Sequence, residues 1–409
     1  MVKSQRSESE VLDGIERARR HGDKLKDEFV TLAHGAGGKA SAQLVEQVFV
    51  AEYGNEILGE LTDAGVLSFA DMVAAAQSRC ELEVPASTPL AAAHTDSAQA
   101  DSAQVAHLAP NQTDREHCAA ARLAFSTDSY VVNPIKFPGG SIGDLAVNGT
   151  VNDLAVTGAV PYGISAAFVI EEGLPIATLR EIVADMHAAA DRAGVQIVTG
   201  DTKVVPKGAA DKLYITTAGV GVIPLSVHLA ASSVQRGDRI LLSGAIADHG
   251  MAVMMARGEL GINAPIKSDT RAVNGLTAAL LRAAPHTRWI RDATRGGLGT
   301  VLNELARATN YGVAIYEDQI LVHDMARGAA DMLGIDPLYV ANEGMFAAVV
   351  PENEAAAALA AVQAEPGGEE ARLAGKIVAK PEAAVVLVTG FGGTRLVDML
   401  VGDPLPRIC

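Results

Sequence analysis

The chain ends in a cysteine, Cys409, and a terminal thiol is an unusual place for a reactive group. Free cysteine is most often buried and inert. At the end of Pro404-Leu405-Pro406-Arg407-Ile408-Cys409 it is hard to bury. The adjoining α-carboxylate disfavours the thiolate and Arg407 favours it. The two prolines limit the disorder of the tail and so lower the entropy lost when it docks. That combination suits an arm that presents one thiol to more than one active site; the alternative is a frayed terminus with an incidental cysteine. A prenylation box needs the cysteine fourth from the end, which excludes that reading.

Other groups lie in glycine-punctuated turns. His34-Gly35-Ala36-Gly37-Gly38-Lys39 lets the backbone approach phosphates and offers the N–H groups of a following helix, or else forms a plain turn with a cap. Its spacing is not that of a Walker loop. Asp128, Asp144, Asn152, Asp153 and Asp201, the last in Thr199-Gly200-Asp201, sit at the ends of apolar runs. Their oxygens suit Mg²⁺ bridging nucleotide phosphates; each alone also suits a cap or a solvated turn. Lys203 follows Asp201 by two residues and can hold a phosphate, move a proton, or simply pair with that aspartate. Asn342-Glu343-Gly344 between LYVA and MFAAVV offers a general base, a metal ligand or a hairpin turn. Asp292-Ala293-Thr294-Arg295-Gly296-Gly297 and Asp248-His249-Gly250 are further polar turns.

The elements that must position these groups follow from periodicity. Strands are expected at LAFSTDSYVV, ISAAFVIEEG, VQIVTGDTKVV and LYITTAGVGVIP, a glycine-punctuated turn and then a small-residue helix over PGGSIGDLAVNGTVNDLAVTGAVP, and a helix over LPIATLREIVADMHAAADRAG, closed by glycine. LYVANEGMFAAVVP reads as strand–turn–strand and VTGFGGTRLVDML as one more β element. The pattern implies two α/β or α+β units. Expected limits are a polar arm over 1–28, a first domain over 29–224 with a mobile insertion at 84–121, a second domain over 225–391 and a tail over 392–409.

The chain has 409 residues, 49% of them apolar, enough for a sizeable core. A formal net charge of −16 argues against general binding to nucleic acid or membrane surfaces. Cys80, Cys118 and Cys409 make neither a disulfide framework nor a metal spacing. The charged N-terminus lacks the apolar core of a signal peptide, and no apolar run is long enough to span a bilayer. A soluble protein of the reducing cytosol is expected.

Taken together, LAHGAGGKA, LAFSTDSYVV, FPGGSIGDLAVNGTVNDLAVTGA, EEGLP, VTGDTKVV, DKLYITTAGVG, ADHG, RDATRGGLG, ANEG and the terminal PLPRIC resemble, in the same order, the HypE family of hydrogenase maturation proteins. The resemblance spans about residues 30–80 and 121–409. It implies the two-domain α+β fold of the aminoimidazole-ribonucleotide-synthetase-like (PurM-like) superfamily, with the N-terminal sheet pairing in a homodimer and the C-terminal tail flexible. It implies an ATP-dependent carbamoyl dehydratase that converts an S-carboxamide on its own Cys409 to S–C≡N, the source of the cyanide ligands of a [NiFe]-hydrogenase iron. The implied cofactors are ATP and Mg²⁺. The implied partners are a HypF-like carbamoyltransferase and a HypC–HypD-like iron scaffold, with no nucleic acid and no membrane.

In residues, the resemblance implies Cys409, Glu343 and Lys203 as the catalytic set. It implies His34, Gly35, Gly37, Gly38, Lys39, Asp128, Asn152, Asp153, Thr199, Gly200 and Asp201 around the nucleotide. Asp128, Asn152, Asp153 and Asp201 would hold the metal, and Pro406, Arg407 and Ile408 would dock the tail. The rival readings are a small-molecule kinase or synthetase of the same superfamily and a non-catalytic thiol carrier.

Overall fold

The computed structural model describes residues 25, 27–35, 39–55, 57, 67, 69–81, 122–258 and 265–399. The insertion at 84–121, Gly37, Gly38 and the tail residues Pro406, Arg407, Ile408 and Cys409 lie outside the described residues, as does nearly all of the arm.

The N-terminal segment is helical in pieces: Leu32–Gly35 forms a 3-10 turn, and Lys39–Leu44 (α1) runs into Val45–Val50 and Ala51–Tyr53. Phe69–Glu81 is α2. A four-stranded sheet then forms from β1 (Arg122–Tyr130), β4 (Val160–Glu171), β5 (Gln196–Val205) and β6 (Leu213–Ile223), in the order β1-β6-β4-β5. A two-residue pair, β2 (Lys136–Phe137) and β3 (Gly140–Ser141), leads into α3 (Ile142–Val156). Asp144 caps this helix: the Ser141 N–H donates to its carboxylate at 3.0 Å. Its cap reading therefore holds, because two orphan amides of the first turn need acceptors. The apolar period of α4 (Ile176–Ala193) buries Leu179, Ile182, Val183 and Met186, and Gly194 closes it in the left-handed conformation. β4 and β5 run parallel with α4 between them; the other pairs are antiparallel.

A second sheet of seven strands has the order β13-β12-β9-β11-β7-β10-β8. Its strands are β7 (Arg239–Leu242), β8 (Trp289–Asp292), β9 (Gly312–Tyr316), β10 (Phe346–Val350), β11 (Arg372–Val378), β12 (Val385–Val388) and β13 (Thr394–Val397). Helices α5 (Asp248–Ala256), α6 (Asn274–Ala283), α7 (Gly297–Thr309), α8 (Asp324–Leu333) and α9 (Ala355–Ala364) complete this half. Ala155 and Val156 of α3 share a core with Leu241, Leu276, Ile290 and Phe346, so the two halves meet along the end of that helix.

The β element expected in VTGFGGTRLVDML is present as β13, paired as a hairpin with the preceding β12. One local expectation changes. The strand expected before Asn342 is absent; Pro337–Tyr339 is a 3-10 turn and residues 340–345 carry no ladder. Asn342 explains why. Its Oδ1 accepts from the Ala247 N–H at 2.7 Å, and its Nδ2 donates to the carbonyls of Ala293 (2.8 Å) and Val340 (3.1 Å). Loop partners satisfy this backbone, so no strand partner is needed.

Candidate active site

Strand parity decides which face each acidic group of the first sheet occupies. Ser126, Asp128 and Tyr130 lie on the face that α3 covers: the Ser126 hydroxyl donates to Asp153 of that helix at 2.6 Å, and Tyr130 is buried beside Thr150. Thr127, Ser129 and their β6 neighbours take the other face, where the Ser129 and Thr216 hydroxyls are 2.9 Å apart.

Asp128 and Asp153 line one cavity of about 280 Å³ together with Thr127, Ser129, Tyr130, Asp292, Thr294, Arg295 and Glu343. The groups come from β1, α3, the end of β8 and the turn before β10. Burial raises the Asp153 carboxyl above its ordinary range, the Ser126 hydrogen bond opposes this and the nearby Asp128 adds to it. Burial, then the negative charge of Asp153, pushes Asp292 up to about 6. Three carboxylates that crowd one another in this way make a cavity that favours cations. Arg295 adds one positive group to the same wall.

Glu343 is only 4% exposed. Its turn is held from behind by Asp269, whose two carboxylate oxygens accept the N–H groups of Glu343 and Gly344, each at 3.0 Å. Arg271 Nε donates to the Gly344 carbonyl at 2.8 Å. A side chain at position 344 would put its Cβ 1.8 Å from the Asp269 carbonyl, so only glycine fits there.

One sequence expectation meets a correction, and two others lie away from this cavity within a single chain. Asn152 is buried, and its amide is committed: Oδ1 accepts the Val273 N–H at 2.8 Å, and Nδ2 donates to the carbonyls of Arg271 (3.0 Å) and Glu343 (3.2 Å). It ties α3 to the second half and does not face the cavity as a metal ligand. Asp201 lies on β5, at the opposite edge of the sheet from β1. Three strand spacings separate the edges by about 14 Å, whereas Mg²⁺ ligands lie about 2 Å from the ion. Asp201 therefore does not share an ion with Asp128 within one chain. Lys203, on the same strand, does not share the cavity of Glu343 either. By register, Thr199, Asp201 and Lys203 stand beside Ser165, Ala167 and Val169, on the face turned away from α3.

Thr199, Gly200, Asp201 and Lys203 line a second pocket of about 340 Å³ along the β5 edge, with His34, Gly35, Phe49, Tyr53 and Phe168. Lys203 pairs with Asp201 at 3.5 Å; both side chains are more than 60% exposed (69% and 63%), and such a pair contributes little to stability. His34 is buried and turned inward, its Nδ1 accepting from the Thr31 N–H and its Nε2 3.3 Å from Asp27. Gly35 packs so closely on β5 that an added Cβ would lie 2.9 Å from the Val204 nitrogen. Lys39 is described only as the start of α1.

The sequence did not single out Tyr130, Asp269 or Arg271. For Asp292 and Arg295 it offered a signal, the glycine turn that opens α7, but no partner. Among the described residues no three His, Cys, Asp or Glu side chains converge into a complete metal site. A cation in this cavity would therefore take most of its ligands from phosphate and water, with Asp128 and Asp153 as the nearby carboxylates.

A pH test follows from Asp292. Its neutral form is favoured in the folded chain, so the folded state holds more protons than the unfolded one between pH about 4 and about 6. The stability this group contributes is full below pH 4 by that reckoning and lost as pH rises through about 6. Asp292→Asn should therefore stabilise the chain by about 1–3 kcal/mol at neutral pH and by much less at pH near 4.5. Denaturant melts at both pH values check this; an equal difference at both would contradict the assignment.

A family profile described as "AIR synthase related protein, N-terminal domain" matches residues 115–223, and "AIR synthase related protein, C-terminal domain" matches residues 235–388. The chain is 45% identical over 388 residues to a protein of Rhodobacter capsulatus named "Carbamoyl dehydratase HypE", covering 94% of this chain and 99% of the relative. A crystal structure described as hydrogenase maturation protein HypE in complex with ATP superposes with a TM-score of 0.76 at 37% identity, over 93% of this chain and 99% of the other. A HypE–HypF complex matches with a TM-score of 0.66 at 35% identity, over 87% and 99%. The two-domain α+β fold implied by the sequence is thus the one found.

Proposed function

The chain belongs to the HypE family of carbamoyl dehydratases, and on that premise we propose that its Asp128–Asp153–Glu343 cavity dehydrates a carboxamide carried on its own Cys409. The enzyme is an ATP-dependent carbamoyl dehydratase of hydrogenase maturation. The observation that carries the proposed site is one of geometry: three groups far apart in sequence, two carboxylates suited to a phosphate-bound cation and one enclosed carboxylate, line a single cavity.

In S–C(=O)NH₂ the carbon–oxygen bond must break and both N–H bonding pairs must become part of C≡N. Amide oxygen leaves poorly, and bound ATP supplies the phosphoryl group that lets it leave as phosphate. Mg²⁺ would neutralise phosphate charge, held by Asp128 and Asp153 with Asp292 beside them. Arg295, on the same wall, would pair with phosphate oxygens. Glu343, fixed in its turn, accepts one proton from the amide nitrogen, and the second leaves with the departing phosphate. The walls of β1, α3 and the 342–344 turn keep bulk water from the reacting carbon. Arg407 and Ile408, stiffened by Pro406, seat the tail. We take 29–224 and 225–391 as the two domain limits and the cytoplasm as the compartment, where a free thiol persists. No described helix is long and apolar enough to cross a membrane.

A HypF-like carbamoyltransferase loads the tail in this proposal, which the solved HypE–HypF complex of a relative supports. A HypC–HypD-like iron scaffold receives the cyano group. The test is mass spectrometry of the C-terminal peptide after incubation with carbamoyl phosphate, a HypF-like enzyme and ATP. A carboxamide mass followed by loss of one water only with ATP supports the reading; a mass unchanged throughout sinks it.

Homodimerisation through the four-stranded sheet belongs to the same proposal. Phe125 is 75% exposed and Leu123 56% exposed on β1. Pairing on the face that carries Phe125, Asp201 and Lys203 gives those two charged groups, and Thr199-Gly200, a nucleotide to meet that one chain denies them. His34, Gly35, Gly37, Gly38 and Lys39 would close the same pocket. Phe125→Glu should yield a monomer in sedimentation velocity and lower turnover at least about tenfold, as loss of an interface aromatic does. A dimer of undiminished affinity would count against it.

A further inference from the structure

We propose that Asp269 is a positioning residue for the dehydration, acting through Glu343; this rests on the reading of Glu343 as the proton acceptor. Asp269 lies in the strap at 265–273 that leads into α6 at the junction of the two halves. Both its carboxylate oxygens are spent on consecutive amides, those of Glu343 and Gly344. A carboxylate accepting two successive N–H groups fixes the direction in which the intervening side chain leaves the backbone. Arg271 holds the other side of the same turn through the Gly344 carbonyl.

The strap is itself anchored at both ends. Asn148 of α3 donates to Thr270 Oγ1 at 3.2 Å, and Asn152 of the same helix accepts the Val273 N–H. Ser268 Oγ lies 2.8 Å from His249 Nδ1 and accepts the Thr270 N–H at 3.0 Å. The helix that brings Asp153 to the cavity therefore also sets the strap that aims Glu343. A rotation of the Glu343 side chain by a fraction of an ångström would be felt, since proton transfer requires heavy atoms at about 2.6–3.2 Å.

A negative group placed behind the turn also needs a reason to be there. Burial pushes the Asp269 carboxyl up to about 6, opposed by the hydrogen bond from Glu343 and by Arg271. Neutral residues could satisfy one amide; only a carboxylate satisfies both with equal geometry.

The test uses the full-length dehydratase carrying a carbamoylated tail. Asp269→Asn should slow single-turnover dehydration at least about tenfold with ATP affinity unchanged, while Glu343→Gln should slow it more. In the double variant the Asn change should cost nothing further, because its only route to the reaction is through Glu343. A structural role alone would lower the melting temperature and add its loss to that of Glu343→Gln. Asp269→Ser, which keeps one acceptor, serves in the same cycle if the Asn variant does not fold. An unchanged rate, a matching loss of ATP affinity, or an additive double variant overturns the proposal. If Glu343→Gln alone leaves the rate untouched, the reading of Glu343 fails instead, and the two failures are told apart by that single variant.

Discussion

Cys409→Ala is expected to abolish the cyano product while ATP still binds. The reason is that, in the proposed reaction, the thiol is part of the substrate. Sulfur carries the carbon whose oxygen is removed, so no neighbouring group can replace it. In the proposed site the nucleotide would be gathered by Asp128, Asp153 and the glycine turns, none of which includes the tail. A free thiocarboxamide offered to the variant would need to reach millimolar levels to match the local concentration a tethered tail supplies. Substitution of Cys80 or Cys118 by serine should leave product intact. The checks are mass spectrometry for S–C≡N and calorimetry for ATP. Product from the Cys409→Ala chain would remove the tail from the reaction.

Glu343→Gln is expected to slow single-turnover dehydration by about 10²–10⁴, or about 3–5 kcal/mol of barrier, the usual contribution of a positioned general base. The substitution keeps shape. Backbone contacts to Asp269 and Asn152 involve the peptide groups of residue 343, so they persist. The substitution removes the carboxylate that would accept the amide proton. ATP affinity should hold within about a factor of two, because the cation-favouring wall is made by Asp128, Asp153 and Asp292. Rapid quench followed by peptide mass analysis measures the rate. A single-turnover rate equal to that of the unsubstituted chain would take Glu343 out of the chemistry.

Legibility varied with the distance over which a feature is determined. The strand LAFSTDSYVV, the amphipathic helix closed by Gly194 and the capping carboxylate Asp144 are local, and the structure has them where periodicity and capping rules place them. The 342–344 turn misled, because strand-like residues on both sides suggest a hairpin while the actual partners come from Ala247, Ala293 and Asp269. Asn152 misled for a related reason. An asparagine beside an aspartate reads as a ligand pair, but on a helix the two side chains point about 100° apart. One of them meets the cavity and the other meets the strap.

The amino-acid order by itself determined two α/β or α+β units, the family resemblance that implies α+β, and the inventory of carboxylates, because each depends on near neighbours, motifs or composition. Only the tertiary structure decided how that inventory divides. Asp128 and Asp201 look equivalent in sequence, yet strand order and two-residue parity put them at opposite edges and on opposite faces of one sheet. Asn152 and Glu343 look unrelated, yet a hydrogen bond spans the 191 positions between them. Such relations come from the packing of distant segments, a property that no local pattern records.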